Sequence, residues 1–188
     1  MCGCVGGFRG SGTGQDGVLL RHDYFADQMD VPVNADWAIN ALAPSIVDAT
    51  NNALVVAAFD QAIEEGRGFI ERVPNFATYL RLEIVGRAPA VPPAARTVGM
   101  KLYYRNSPNN AAVTAWLNLV LSDLAIPVNA FYQYFSQSIP IGGGGGQINL
   151  NPGFDSQFEL TRIAPSAGTN LAQDFLIRRV SFAWAQSP

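Results

Sequence analysis

Residues 78–88 read TYLRLEIVGRA and residues 96–106 read RTVGMKLYYRN. In the first stretch Leu80, Leu82 and Ile84 alternate with Tyr79, Arg81 and Glu83. In the second, Val98, Met100, Leu102 and Tyr104 alternate with Lys101, Tyr103 and Arg105. A period of two sends successive side chains to opposite faces of a strand. One apolar and one polar face is what an antiparallel sheet with one side on a core requires. These two stretches therefore set the class as all-β.

Working outward, the same grammar recurs. Further strands are expected over 53–60, 66–73, 115–123, 131–139, 156–164 and 174–185, which makes eight with the first two. In 115–123 Leu117, Leu119 and Leu121 share a face, and near the C-terminus Val180, Phe182 and Trp184 line up after an Arg178–Arg179 pair that breaks the alternation. Between the runs lie Pro, Gly and Asn clusters at 73–75, 87–96, 106–110, 125–129, 139–147 and 164–170, which is turn chemistry. No segment carries the helical period that a crossover between parallel strands needs. Eight short antiparallel strands imply a two-sheet sandwich, and eight is the jelly-roll number. The expected body is 53–188, preceded by an extended N-terminal arm over 1–52. Within the arm, Ser45 could cap one helical turn, but Pro44 and Asn51–Asn52 bracket it tightly, so the arm is expected to be mostly extended.

The chain begins MCGCVGGFRGSGTGQDG. Ordering such a glycine-rich stretch costs about 1–2 kcal/mol per residue, so its order is expected to come from a neighbour. Val5, Phe8, Trp37, Ile39 and Leu42 are the side chains available to anchor the arm, and they are the expected interface residues.

Charged residues are 14% of the chain and apolar ones 48%, which points to much surface lying against other protein. With 12 basic against 15 acidic residues and no basic run, nucleic acid and membrane surfaces are not expected partners. There is no apolar run long enough to span a bilayer and no basic-then-apolar leader. Cys2 and Cys4 are the only cysteines and form no disulfide framework, in keeping with a reducing compartment.

Chemistry-bearing motifs are sparse. His22 is the single histidine and falls in the arm, where an exposed or interface role is expected rather than that of a catalytic base. Glu64 and Glu65 are adjacent, so on a strand they point apart and do not form the facing carboxylates of glycoside hydrolysis; they are expected as polar turn residues. The IGGGGGQ run at 141–147 lacks the Lys-Ser/Thr and helix that complete a phosphate loop. Cys2 and Cys4 supply two thiolates where structural zinc takes about four ligands, so a metal there would need ligands from other copies. No cofactor and no enzymatic activity are expected. Tyr103, Tyr132, Tyr134 and Trp116 fall on candidate outward faces and could serve as a sugar-stacking platform, or as cross-strand and interface packing.

Residues 64–116 (EEGRGFIERVPNFATYLRLEIVGRAPAVPPAARTVGMKLYYRNSPNNAAVTAW), 158–171 (FELTRIAPSAGTNL) and 36–44 (DWAINALAP) resemble a family of jelly-roll structural proteins of tailed bacteriophages. The resemblance spans roughly 36–185 and rests on turn and core residues. It implies a virion component, commonly a homotrimer, with the major capsid protein or other virion subunits as partners and no catalytic residues. The role expected first is a head cement or decoration protein that bridges capsid subunits. The alternative is a tail-fibre or adhesin knob that binds host glycans.

Overall fold

The computed structural model describes residues 17–29, 37–39, 41–48, 54–60, 65–108, 112–142 and 144–188. Among them are eleven strands: β1 (Val18–Phe25), β2 (Ser45–Val47), β3 (Val55–Phe59), β4 (Gly66–Arg72), β5 (Tyr79–Arg87), β6 (Arg96–Ser107), β7 (Leu117–Val120), β8 (Leu124–Ile126), β9 (Gln133–Pro140), β10 (Asp155–Ile163) and β11 (Phe175–Ala185). One sheet runs β2-β3-β11-β5-β9, with β1 beside β11 where β3 has ended. The other runs β4-β10-β6-β7, with β8 beside the start of β6. All these strand pairs are antiparallel.

The alternation read from the sequence sets the register. Leu80, Leu82 and Ile84 of β5 stand opposite Trp184, Phe182 and Val180 of β11, and all six are buried. The two sheets share one core, in which Phe182 lies 4.9 Å from Phe158 of β10, 5.2 Å from Phe69 of β4 and 6.0 Å from Tyr24 of β1. Rings in tilted and edge-on contact fill the space between layers at close to crystalline density. The Arg178–Arg179 pair marks a register shift, because the β5–β11 pairing skips from Ile177 to Arg179. One inserted residue restores the inward phase for Val180, Phe182 and Trp184.

Each of the eight expected strands has its counterpart, and three more appear. Val18–Phe25 and Ser45–Val47 fall where an extended arm was expected, yet they are strands of the first sheet. Ser45 therefore begins a strand and caps no helical turn. Ile46 and Val47 are β-branched, and the open edge of β3 offers their backbone the partners that a single helical turn would leave unmade. Leu124–Ile126 overlaps an expected turn and pairs with Arg96–Val98. In β7 the shared face is only partly inward: Leu121 is buried, whereas Leu117 is exposed because β7 is an edge strand.

Candidate functional site

Three of the expected interface residues lie on the chain's own body. The GRG sequence at 66–68 leaves β4 without side chains at two positions, and Trp37 and Ile39 occupy that space. A Cβ on Gly68 would meet Trp37 Cη2 at 2.4 Å, and one on Gly66 would meet Ile39 Cδ1 at 3.0 Å. Beneath them the buried Glu159 carboxylate accepts the Ala38 and Ile39 N–H groups at 3.0 and 3.4 Å. Leu42 bridges to Gly66, whose N–H donates to Ala41 O at 3.0 Å. Trp37 stacks on Trp116 at 6.1 Å, and the Arg105 guanidinium covers the other indole at 4.5 Å. Val5 and Phe8, with Cys2 and Cys4, lie outside the described residues.

Two buried carboxylates fasten neighbouring segments. Asp48 follows β2 and pairs bidentately with Arg87 at the end of β5. Nε donates to Oδ2 at 2.9 Å, Nη2 donates to Oδ1, and both side chains are almost wholly buried. Tyr132 O–H donates to the same carboxylate at 2.6 Å. Burial, reinforced by that hydrogen bond, pushes the Tyr132 phenol up to about 12. Glu71 of β4 accepts from Tyr24 O–H at 2.5 Å and from Trp184 Nε1 at 3.3 Å, and lies 2.8 Å from His22 Nδ1. His22 thus belongs to a sheet strand and bridges the layers.

The remaining motifs resolve individually. Glu65 is buried rather than a solvated turn residue; it accepts the Asp60 N–H at 2.9 Å, and burial pushes its carboxyl up. Glu64 lies outside the described residues. In the glycine run Gly146 takes φ +74°, and Gln147 Oε1 accepts the Gly144 N–H at 2.9 Å. Of the aromatic platform residues, Trp116 and Tyr132 are engaged as above, Tyr103 lies under the Lys101 ammonium at 5.1 Å, and Tyr134 is exposed. Among the described residues no group of three or more His, Cys, Asp or Glu is placed to hold a metal ion.

The open surface lies where edge strand β9 faces the Leu121–Leu124 segment that follows β7. A groove of about 270 Å³ runs between the layers, floored by Leu82, Ile84, Leu121 and Leu124 and walled by Tyr134–Gln137. Ser122 N–H donates to Gln137 Oε1 at 2.8 Å across it. Tyr134 on its wall is exposed, and so, in the same part of the sequence, are Leu117, Val120, Val128 and Phe131, the last by 76%. From Asn106 to Phe154 the chain carries a single charge, Asp123, and that carboxylate accepts the Ser166 and Ala167 N–H groups at 3.1 and 2.9 Å. These bonds, with the Ser166 hydroxyl first, hold the Asp123 carboxyl below its usual range. The uncharged run is legible in the sequence, but only the fold sets Leu121–Leu124 against Tyr134–Gln137.

No protein-family model matches the chain, and no curated protein matches it.

Proposed function

We propose that this chain is a non-enzymatic structural subunit of a tailed-bacteriophage particle, a jelly-roll protein that cements the head by bridging neighbouring capsid subunits. Strand order supports the jelly-roll reading. β3, β5, β9 and β11 lie in one sheet and β4, β6, β7 and β10 in the other, so the chain crosses between layers at nearly every connection. That is how two Greek keys wrap into a jelly roll.

The observation that carries the assembly role is the uncharged edge. Interface cores are depleted of charge and enriched in aromatic side chains, and a contiguous apolar surface marks a contact site. Here Leu117, Val120, Phe131 and Tyr134 are exposed within a stretch of sequence that carries one charge, itself tied internally. Internal DNA pressure strains a filled head. A protein that binds only the assembled lattice stabilises it by mass action, without chemistry.

Quantitative mass spectrometry of purified particles tests this. A cement protein is present at a copy number comparable to the major capsid protein, and particles stripped of it release DNA at a lower temperature. A few copies per particle, or no change on stripping, defeats the cement role. One observation favours the glycan-binding knob as a second reading: Tyr134 is exposed beside a groove edged by Gln137 and Asp123. A glycan array probed with the purified protein separates the two, since cement leaves it blank.

A further inference from the structure

We propose that the outer face of the first sheet holds a binding site for a carboxylate carried on an apolar body, formed where Arg178 and Arg179 bulge out of β11 beside Phe25 and Val85. The site is separate from the β9 groove and from the particle role above, and depends on neither.

The bulge makes the site. On a regular strand, neighbours such as Arg178 and Arg179 point to opposite faces. Here Ile177 and Val180, which flank them, are both buried, and the pairing with β5 passes over Arg178. The inserted residue leaves both arginines on the solvent side. Both line one pocket of about 220 Å³ together with Phe25 and Val85. Phe25, Arg179 and Val85 stand directly abreast in β1, β11 and β5, and Phe25 is 40% exposed. Two guanidinium groups and two apolar side chains thus share one concavity.

The charges around it are already engaged. About 7 Å along the strands, Asp23, Ser181 and Glu83 form the next row on the same face. Arg21, from the row beyond, lies 2.8 Å from the Asp23 carboxylate and 2.6 Å from that of Glu83. Arg81 stands in the same row as Arg21. Arg179 reaches only Asp23, with Nη1 4.0 Å from Oδ2, and its Nε is buried without a hydrogen-bond partner. The Arg178 guanidinium lies 5.9 Å from the Tyr132 ring and makes no hydrogen bond or ion pair among the described residues. Two adjacent cations therefore share one distant carboxylate, and the bulge is short of negative charge.

The ligand follows from these groups. The planar fork of arginine matches a carboxylate through two parallel N–H···O bonds. A phosphate dianion also meets the fork, but it brings a second negative charge towards Asp23 and Glu83. One negative charge suits the pocket better. Phe25 and Val85 offer no hydrogen bonds and cover a ring or hydrocarbon body, and a few polar groups set among apolar ones is how small-molecule sites are built. A free carboxylic acid and an acidic side chain next to an aromatic one both carry this chemistry.

The full chain is tested by calorimetry and by NMR titration with phenylacetate. Saturable one-to-one binding is expected, with shifts at the Phe25, Val85, Arg178 and Arg179 amides. Phenylacetamide, which lacks the charge, is expected to bind at least tenfold more weakly, and phenyl phosphate more weakly than phenylacetate. Arg178→Gln and Arg179→Gln are each expected to weaken binding about tenfold with unchanged circular dichroism and melting temperature. Arg72→Gln, on the other sheet, is expected to leave it unchanged. The peptide acetyl-Phe-Glu-amide, compared with acetyl-Phe-Gln-amide, separates the sources: tighter binding than phenylacetate marks a protein side chain, weaker binding a free acid, and either upholds the site. No saturable binding of phenylacetate or of the Glu peptide overturns the proposal, as does binding that survives both arginine variants or does not distinguish the amide. Tighter binding of phenyl phosphate overturns the assignment to a carboxylate.

Discussion

The Arg87 guanidinium and the Asp48 carboxylate face each other as a two-bonded pair, Nε to Oδ2 at 2.9 Å, with almost no exposure of either side chain. Removing one member leaves the other charged and dry, which costs about 3–5 kcal/mol. Asp48→Ala is therefore expected to lower unfolding stability in guanidinium titrations by that amount. Replacing both by leucine is expected to recover most of it, because the desolvation of two charges disappears with them. A single variant as stable as wild type would show that the pair contributes nothing.

Tyr132 donates to the same carboxylate, and its phenol is raised from about 10 to about 12. The folded state therefore holds this proton more tightly than the unfolded chain. The resulting stability is complete below pH 10 and is lost as the pH climbs from about 10 to about 12. Stability measured across that window is expected to fall less steeply in Tyr132→Phe than in wild type. Identical slopes would remove Tyr132 from the account of alkaline unfolding.

Phe182 touches two rings of the opposite sheet and the Tyr24 ring of β1 in its own. Truncation leaves a cavity where opposing layers cannot collapse without breaking strand pairing. Phe182→Ala is expected to cost about 3–5 kcal/mol in urea unfolding. A loss below about 1 kcal/mol would mean that the sheets repack freely.

Gly68 lies directly beneath the Trp37 ring, with no room for a methyl group. Gly68→Ala is expected to lift Trp37 from β4 at a cost of about 1–3 kcal/mol. The Trp37 emission should shift to the red, and the Ala38 and Ile39 amides should exchange faster as they leave Glu159. Once Trp37→Ala is present, Gly68→Ala is expected to cost almost nothing, since contacting residues are not additive. Full additivity in the double variant contradicts the contact.

Period-two alternation made the strands legible, because the side-chain period of a pleated strand is geometric and needs no partner to be read. Leu80, Leu82 and Ile84 face the core as expected, and the Arg178–Arg179 break falls at the register shift. The short edge strands β2 and β8 were not legible, since three residues carry no period and form only because β3 and β6 offer unpaired backbone. The candidate site was legible in part. The run from Asn106 to Phe154 shows its lack of charge in the sequence, but only folding sets Leu121–Leu124 against Tyr134–Gln137.

The sequence by itself determined the all-β class, the phase of the main strands and the scarcity of charge, all properties of neighbouring residues. Tertiary structure decided which sheet each strand joins, that Trp37 and Ile39 settle over Gly68 and Gly66, and that Asp48 meets Arg87. It also decided that β7 ends one sheet and β9 the other. Those outcomes depend on groups distant in sequence, whose contacts exist only after the chain has closed its loops and buried a common core.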